Sequence, residues 1–197
     1  PHLHFEIRNT KTEHPLNPQL FGFEITDNIC PVPSEIVLYT SNVFFYDNSF
    51  TREKLVKKGR VYTTTKDTIF VYANAVNIGV AVNDFMNNST NTLSFYTAEW
   101  YANNTLKGKL TLDDIGYDET RYLNACSDYR LKKETGIWYN SLFRLPNNQL
   151  NSIYDFDENK NGTIDVRDNV ETNIRIVLKD VSGNETEIKF SVLSKGM

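Results

Sequence analysis

From Thr172 to Leu193 the sequence reads TNIRIVLKDVSGNETEIKFSVL, and its side chains alternate with a period of two on both sides of a turn. Ile174, Ile176 and Leu178 share one face of the first arm, and Ile188, Phe190 and Val192 share one face of the second. The intervening DVSGNE is rich in turn formers and folds the arms back on each other as a hairpin. Alternating or β-rich runs recur in HLHFEIR, EIVLYTSNVFFY, DTIFVYANAVNIGVAVND, TLSFYTAEWY and IWYNSLFRL. Asn- and Gly-rich clusters such as MNNSTN, YANNTLKG and LPNNQLN separate them. Strands at this spacing, with few helical patterns, predict an all-β chain built as an antiparallel β-sandwich.

Two segments interrupt the pattern. Tyr117 to Glu134, YDETRYLNACSDYRLKKE, carries charges that suit a short helix or a long structured loop. His14 to Pro33 holds four prolines and the sequence TDN, which break regular structure, and reads as a connector. The chain therefore divides near Asp27. Residues 1–26 are a strand-containing tail of something upstream with its connector, and residues 27–197 are one sandwich domain.

At 197 residues the chain can bury a sizeable core without staples. With 40% hydrophobic residues, including 12 Phe and 11 Tyr, it is globular rather than disordered. A net charge of −4 argues against nucleic-acid binding, which calls for a basic face. The short basic run Lys57-Lys58-Gly59-Arg60 reads as a solvated loop. No apolar stretch is long enough for a membrane span, and no signal peptide is visible. A start without Met, already inside a strand pattern, suggests a fragment or a processed product. Cys30 and Cys126 are compatible with one disulfide or with two buried free thiols.

Chemistry-bearing residues concentrate at the start. In HLHFEIR, His2, His4, Glu6 and Arg8 share one strand face, while Leu3, Phe5 and Ile7 share the other and can pack on a core. Two imidazoles at that spacing can ligate a metal, or set one ligand beside an acid/base group. They do not complete a site, and the remaining histidine is His14.

HLHFEIR closely resembles the last catalytic-domain strand of the lysostaphin-like zinc metallopeptidases, the M23 family, and HPLNPQLFG resembles the extended exit that follows it. The resemblance implies that His4 is a zinc ligand and His2 a catalytic acid/base. Zinc with three protein ligands keeps a position open for water and lowers its pKa to about 7. A neighbouring imidazole then takes or gives the proton. The family's other ligands come from an upstream His-x-x-x-Asp motif. Here HPLNP places Pro18 where the Asp would stand, and Glu6 lies on the same strand as the histidine pair. The chain therefore does not close a zinc site of that type by itself, and alone it is expected to have no hydrolase activity.

GYDETRYLNACSDY, LFRLPNNQLNSIY and VLKDVSGNETEIKFSV resemble the immunoglobulin-like C-terminal extension of Bacteroidetes-type members of that family. On this resemblance, residues 1–26 are the remnant of a peptidase domain and residues 27–197 an immunoglobulin-like accessory sandwich. The implied parent is a zinc-dependent peptidoglycan endopeptidase of the periplasm or cell envelope. Its implied partners are peptidoglycan or a cell-envelope protein, together with the upstream catalytic half. Two other readings stay open: a cell-wall or protein-binding module, and a structural domain of a degenerate, non-catalytic homologue.

DENKNGTIDVRD, Asp157 to Asp168, offers a second candidate site. Asp157, Asn159, Asn161, Thr163, Asp165 and Asp168 stand at positions 1, 3, 5, 7, 9 and 12 of an EF-hand-type calcium loop, with Gly162 at the bend. Position 12 is Asp rather than Glu, and a strand pattern rather than a helix follows. A polar Asn-Gly hairpin turn explains the same residues. The aromatic clusters FYTAEWY and GIWY can stack on sugars, but sandwich cores use such residues heavily, and Trp100 and Trp138 are expected in the core.

Overall fold

The structure is a computed structural model that describes residues 4–23, 25–40, 50–156 and 161–196. His2, Asp157, Asn159 and the stretch NVFFY lie outside the described residues.

A small hairpin, β1 (Ile7–Arg8) and β2 (Pro15–Leu16), precedes a 3-10 turn at Pro18–Leu20. The main body follows as β3 (Val32–Thr40), β4 (Phe50–Lys58), β5 (Val61–Val71), β6 (Ala75–Asn83), β7 (Thr97–Ala102) and β8 (Thr105–Thr111). Two short helices, α1 (Thr120–Leu123) and α2 (Tyr129–Thr135), occupy the segment that resisted a strand assignment. The chain closes with β9 (Asn140–Ser141), β10 (Tyr154–Phe156), β11 (Ile164–Asp165), β12 (Glu171–Lys179) and β13 (Glu185–Ser194).

The all-β expectation holds. One layer runs β10-β8-β7-β12-β13-β5 and the other β4-β3-β6-β11, with β9 also on β6. They are one curled sheet, because β4 pairs with β3 through Phe50–Lys54 and with β5 through Leu55–Lys58. Among the described residues every strand pairing is antiparallel except β5 with β13, which is parallel. The predicted terminal hairpin forms, with Ile174 opposite Phe190 and Ile176 opposite Ile188. DTIFVYANAVNIGVAVND divides into two strands at residues 72–74, and IWYNSLFRL contributes two strand residues.

Between the layers lies the main core, where Ile36, Leu38, Val76, Ile78 and Val80 face Trp100, Ile174, Ile176, Leu178, Ile188 and Phe190. Trp100 is fully buried, and its indole N–H donates to the Gly162 carbonyl at 3.3 Å. Each such apolar side chain withdrawn from water stabilises the fold by about 1.5–3 kcal/mol. A second cluster, Val37, Tyr39, Ala81, Leu131, Tyr139 and Phe143, covers the outer face of β3 and β6. These two strands are thus buried on both faces over much of their length, which explains the unbroken apolar runs IVLY and IGVAV. Helix α2 supplies part of that cover. Asp128 caps it by accepting from Leu131 N–H at 2.9 Å, and left-handed Gly136 ends it.

Trp138 departs from the expected core placement: it is half-exposed, with the Lys132 ammonium 5.1 Å from its ring centre. Cys30 and Cys126 are both free thiols, the first exposed and the second half-buried. The basic run at residues 57–60 forms the exposed tip of the β4–β5 hairpin.

Candidate functional site

The N-terminal hairpin is held by backbone bonds between Asn9 and His14 (3.0 Å) and between Glu13 and Asn9 (2.9 Å). It docks on the loop after β8. Leu16 bridges to Asp114, and His14 Nδ1 lies 2.7 Å from Asp114 Oδ1. The imidazole rests against Gly116, where a Cβ would stand 2.9 Å from His14 Nε2. The Tyr117 hydroxyl donates to Glu6 Oε2 at 2.6 Å, and the Arg8 guanidinium sits 5.2 Å from the Tyr117 ring centre. The bond from Tyr117 first, and those from Arg8 next, hold the Glu6 carboxyl below its usual range. Glu6 and Arg8, from the polar face of HLHFEIR, are thus spent on docking, while His4 is exposed.

On the apolar face, Phe5 does not enter a core as expected. Phe5 is 59% exposed and meets Phe23 edge-on at 5.7 Å. A two-stranded hairpin is too thin to cover it. Among the described residues, no group of three potential metal-binding side chains includes His4. The described residues therefore do not fit a zinc centre of their own.

The described part of the calcium-type loop is turned to several different partners. Asn161 Oδ1 accepts from Arg144 at 2.9 Å and 3.2 Å. The Thr163 hydroxyl donates to Asn77 Oδ1 at 2.8 Å, and Asp168 Oδ1 accepts from the Ser194 hydroxyl at 2.8 Å. Asp165 is exposed, in β11 opposite Ala75. Asn161 and Gly162 both adopt positive φ, 51° and 85°, as a tight Asn-Gly turn requires. A Cβ on Gly162 would stand 2.6 Å from the Leu142 carbonyl and 2.9 Å from the Trp100 ring, so close packing demands glycine there.

A cleft of about 680 Å³ opens over the second cluster, among Tyr39, Tyr122, Tyr129, Phe143, Asp128 and Arg121. The buried Tyr39 hydroxyl donates to Asp128 Oδ2 at 2.9 Å, and burial followed by that carboxylate pushes its pKa up.

A third place was not legible in the sequence. Asp27, Asp84 and Asp180 each bring a carboxylate oxygen within 4.8 Å of the others, in a cavity of about 230 Å³. Asp84 and Asp180 directly follow strands, and Asp27 accepts from the N–H of Ile29 two residues on, local settings in which Asp is common. No spacing connects the three.

No protein-family model, curated protein or solved structure matches the chain.

Proposed function

We propose that this chain is the non-catalytic accessory sandwich of a lysostaphin-like zinc peptidase, joined to the N-terminal segment whose sequence carries His2 and His4. The observation that supports this reading most is the docking of the N-terminal hairpin region on the sandwich. Glu6, Arg8 and His14 bind Tyr117 and Asp114 of the sandwich, while His4 remains exposed. On the same segment Phe5, Leu20, Phe21, Phe23 and Ile25 are all 43–59% exposed, a face suited to contact with the rest of a catalytic domain. In this reading His4 supplies one zinc ligand and His2 the acid/base, and the other ligands come from an upstream His-x-x-x-Asp motif. Zinc would supply an activated water for peptide-bond hydrolysis in peptidoglycan.

The test begins with the coding sequence immediately upstream of Pro1. A His-x-x-x-Asp motif there, with zinc retained by the longer polypeptide and lost in His4→Ala, is the expected result. An upstream region without the motif, or zinc content indifferent to His4, refutes the peptidase reading. A binding module is the second reading, favoured by the cleft beside Tyr39: its size and its mixture of aromatic and polar groups suit a small ligand. Retention of the isolated chain on peptidoglycan, lost in Tyr122→Ala, would favour it.

A further inference from the structure

The geometry points to a divalent-cation site of calcium type formed by Asp27, Asp84 and Asp180, which ties the connector to both layers of the sandwich. Asp84 directly follows β6 and is anchored by paired backbone bonds with Leu93, at 2.9 and 2.8 Å. Asp180 directly follows β12, in the opposite layer, and opens the final hairpin turn. Asn184 fixes its carboxylate through both a backbone N–H at 2.8 Å and a side-chain N–H at 2.7 Å. The same side-chain amide reaches the Asp27 carbonyl at 3.2 Å, and Asp27 Oδ1 accepts from Ile29 N–H at 3.1 Å. Three separate parts of the chain are therefore held in place with their carboxylates converging.

What the cluster lacks is a counter-charge. Asp84 is 2% exposed and Asp180 5%. Asp84 Oδ1 is buried with no hydrogen-bond partner. A carboxylate oxygen withdrawn from water and left unpaired is costly, and nearby like charges add to the cost. Among the described residues, no lysine or arginine lines the cavity. A cation set between the three carboxylates would satisfy the orphaned oxygen and offset the repulsion together.

The donor set selects the ion. Carboxylates offer hard oxygen, among the described residues no imidazole or thiolate lines the cavity, and Asn17, Ser94 and Ser182 add neutral oxygens at its wall. Calcium bonds oxygen at about 2.3–2.6 Å, so two of its ligands can lie up to about 5 Å apart, in keeping with the observed convergence. Magnesium needs shorter bonds and a stricter octahedron. The site does not depend on the peptidase reading, and its test uses this chain alone.

The experiment is calcium titration of the chelator-stripped chain, by calorimetry and by thermal unfolding, with magnesium at equal ionic strength beside it. Saturable binding is expected, with Tm raised by roughly 5–10 °C at a hundredfold excess over Kd and restored by chelator. Asp84→Asn and Asp180→Asn should lose the shift, whereas Asp168→Asn should keep it. Absence of calcium binding by the wild-type chain overturns the proposal, even if a variant fails to fold. So does a shift that survives Asp84→Asn, one that only Asp168→Asn removes, or an equal response to magnesium.

Discussion

The loop ending at Asp168 and the cluster of Asp27, Asp84 and Asp180 both gather oxygen-bearing side chains, by opposite routes. In the loop the ligand types are spelled out consecutively, at spacing that suits calcium, yet Asn161, Thr163 and Asp168 are drawn to Arg144, Asn77 and Ser194. In the cluster no local pattern exists, yet three carboxylates converge and one buried oxygen has no partner. Spacing along a chain sets which groups can meet. Competing partners supplied by the fold decide whether they do.

The sharpest way to break this comparison is Gly162→Ala. If Gly162 serves packing, a methyl group driven toward Leu142 and Trp100 at φ 85° should cost roughly 4 kcal/mol in urea denaturation. A cost below about 1 kcal/mol would show a loop loose enough to wrap an ion.

The next effect concerns pH. Burial, together with Asp180 and Asp27 nearby, raises the Asp84 carboxyl to about 6 from its usual 3.8. Between those values the metal-free folded chain holds a proton that the unfolded chain has released. The contribution of Asp84 to stability is therefore fully present below about pH 4 and is lost as pH rises through 6. With chelator present, the loss should approach roughly 3 kcal/mol between pH 4 and 7. Asp84→Asn should flatten that part of the profile, and identical wild-type and variant profiles would contradict it.

A smaller change is expected from Asp168→Asn, which weakens the bond from Ser194. Denaturation should register about 1 kcal/mol of destabilisation. Smallest of all is Tyr117→Phe, which removes the hydroxyl donated to Glu6. Amide exchange over residues 5–16 should quicken while the unfolding midpoint of the sandwich stays put. Unchanged exchange would mean that the hairpin is held without this contact.

Legibility followed locality. The terminal hairpin was readable because each arm has one covered face, so Ile174, Ile176, Ile188 and Phe190 alternate with polar neighbours. Strands β3 and β6 showed no such alternation, because α2 and the segment around Tyr139 cover their outer face as well. The predicted packing of Phe5 failed for a related reason: a strand pattern records which side is apolar, not what lies against it. Trp100 and Trp138 are the same residue type with opposite fates, set by the closeness of Gly108 and Gly162 to one indole and of Lys132 to the other.

By itself the sequence determined the all-β class and the final hairpin. Period-two patterning and turn chemistry act between near neighbours, so they are written in consecutive residues. Only the tertiary structure decided the parallel pairing of β5 with β13, the partners of Glu6 and His14, and the convergence of Asp27, Asp84 and Asp180. Those depend on where distant strand ends come to rest, and a carboxylate at the end of a strand looks the same in sequence whether it meets water or two more of its kind.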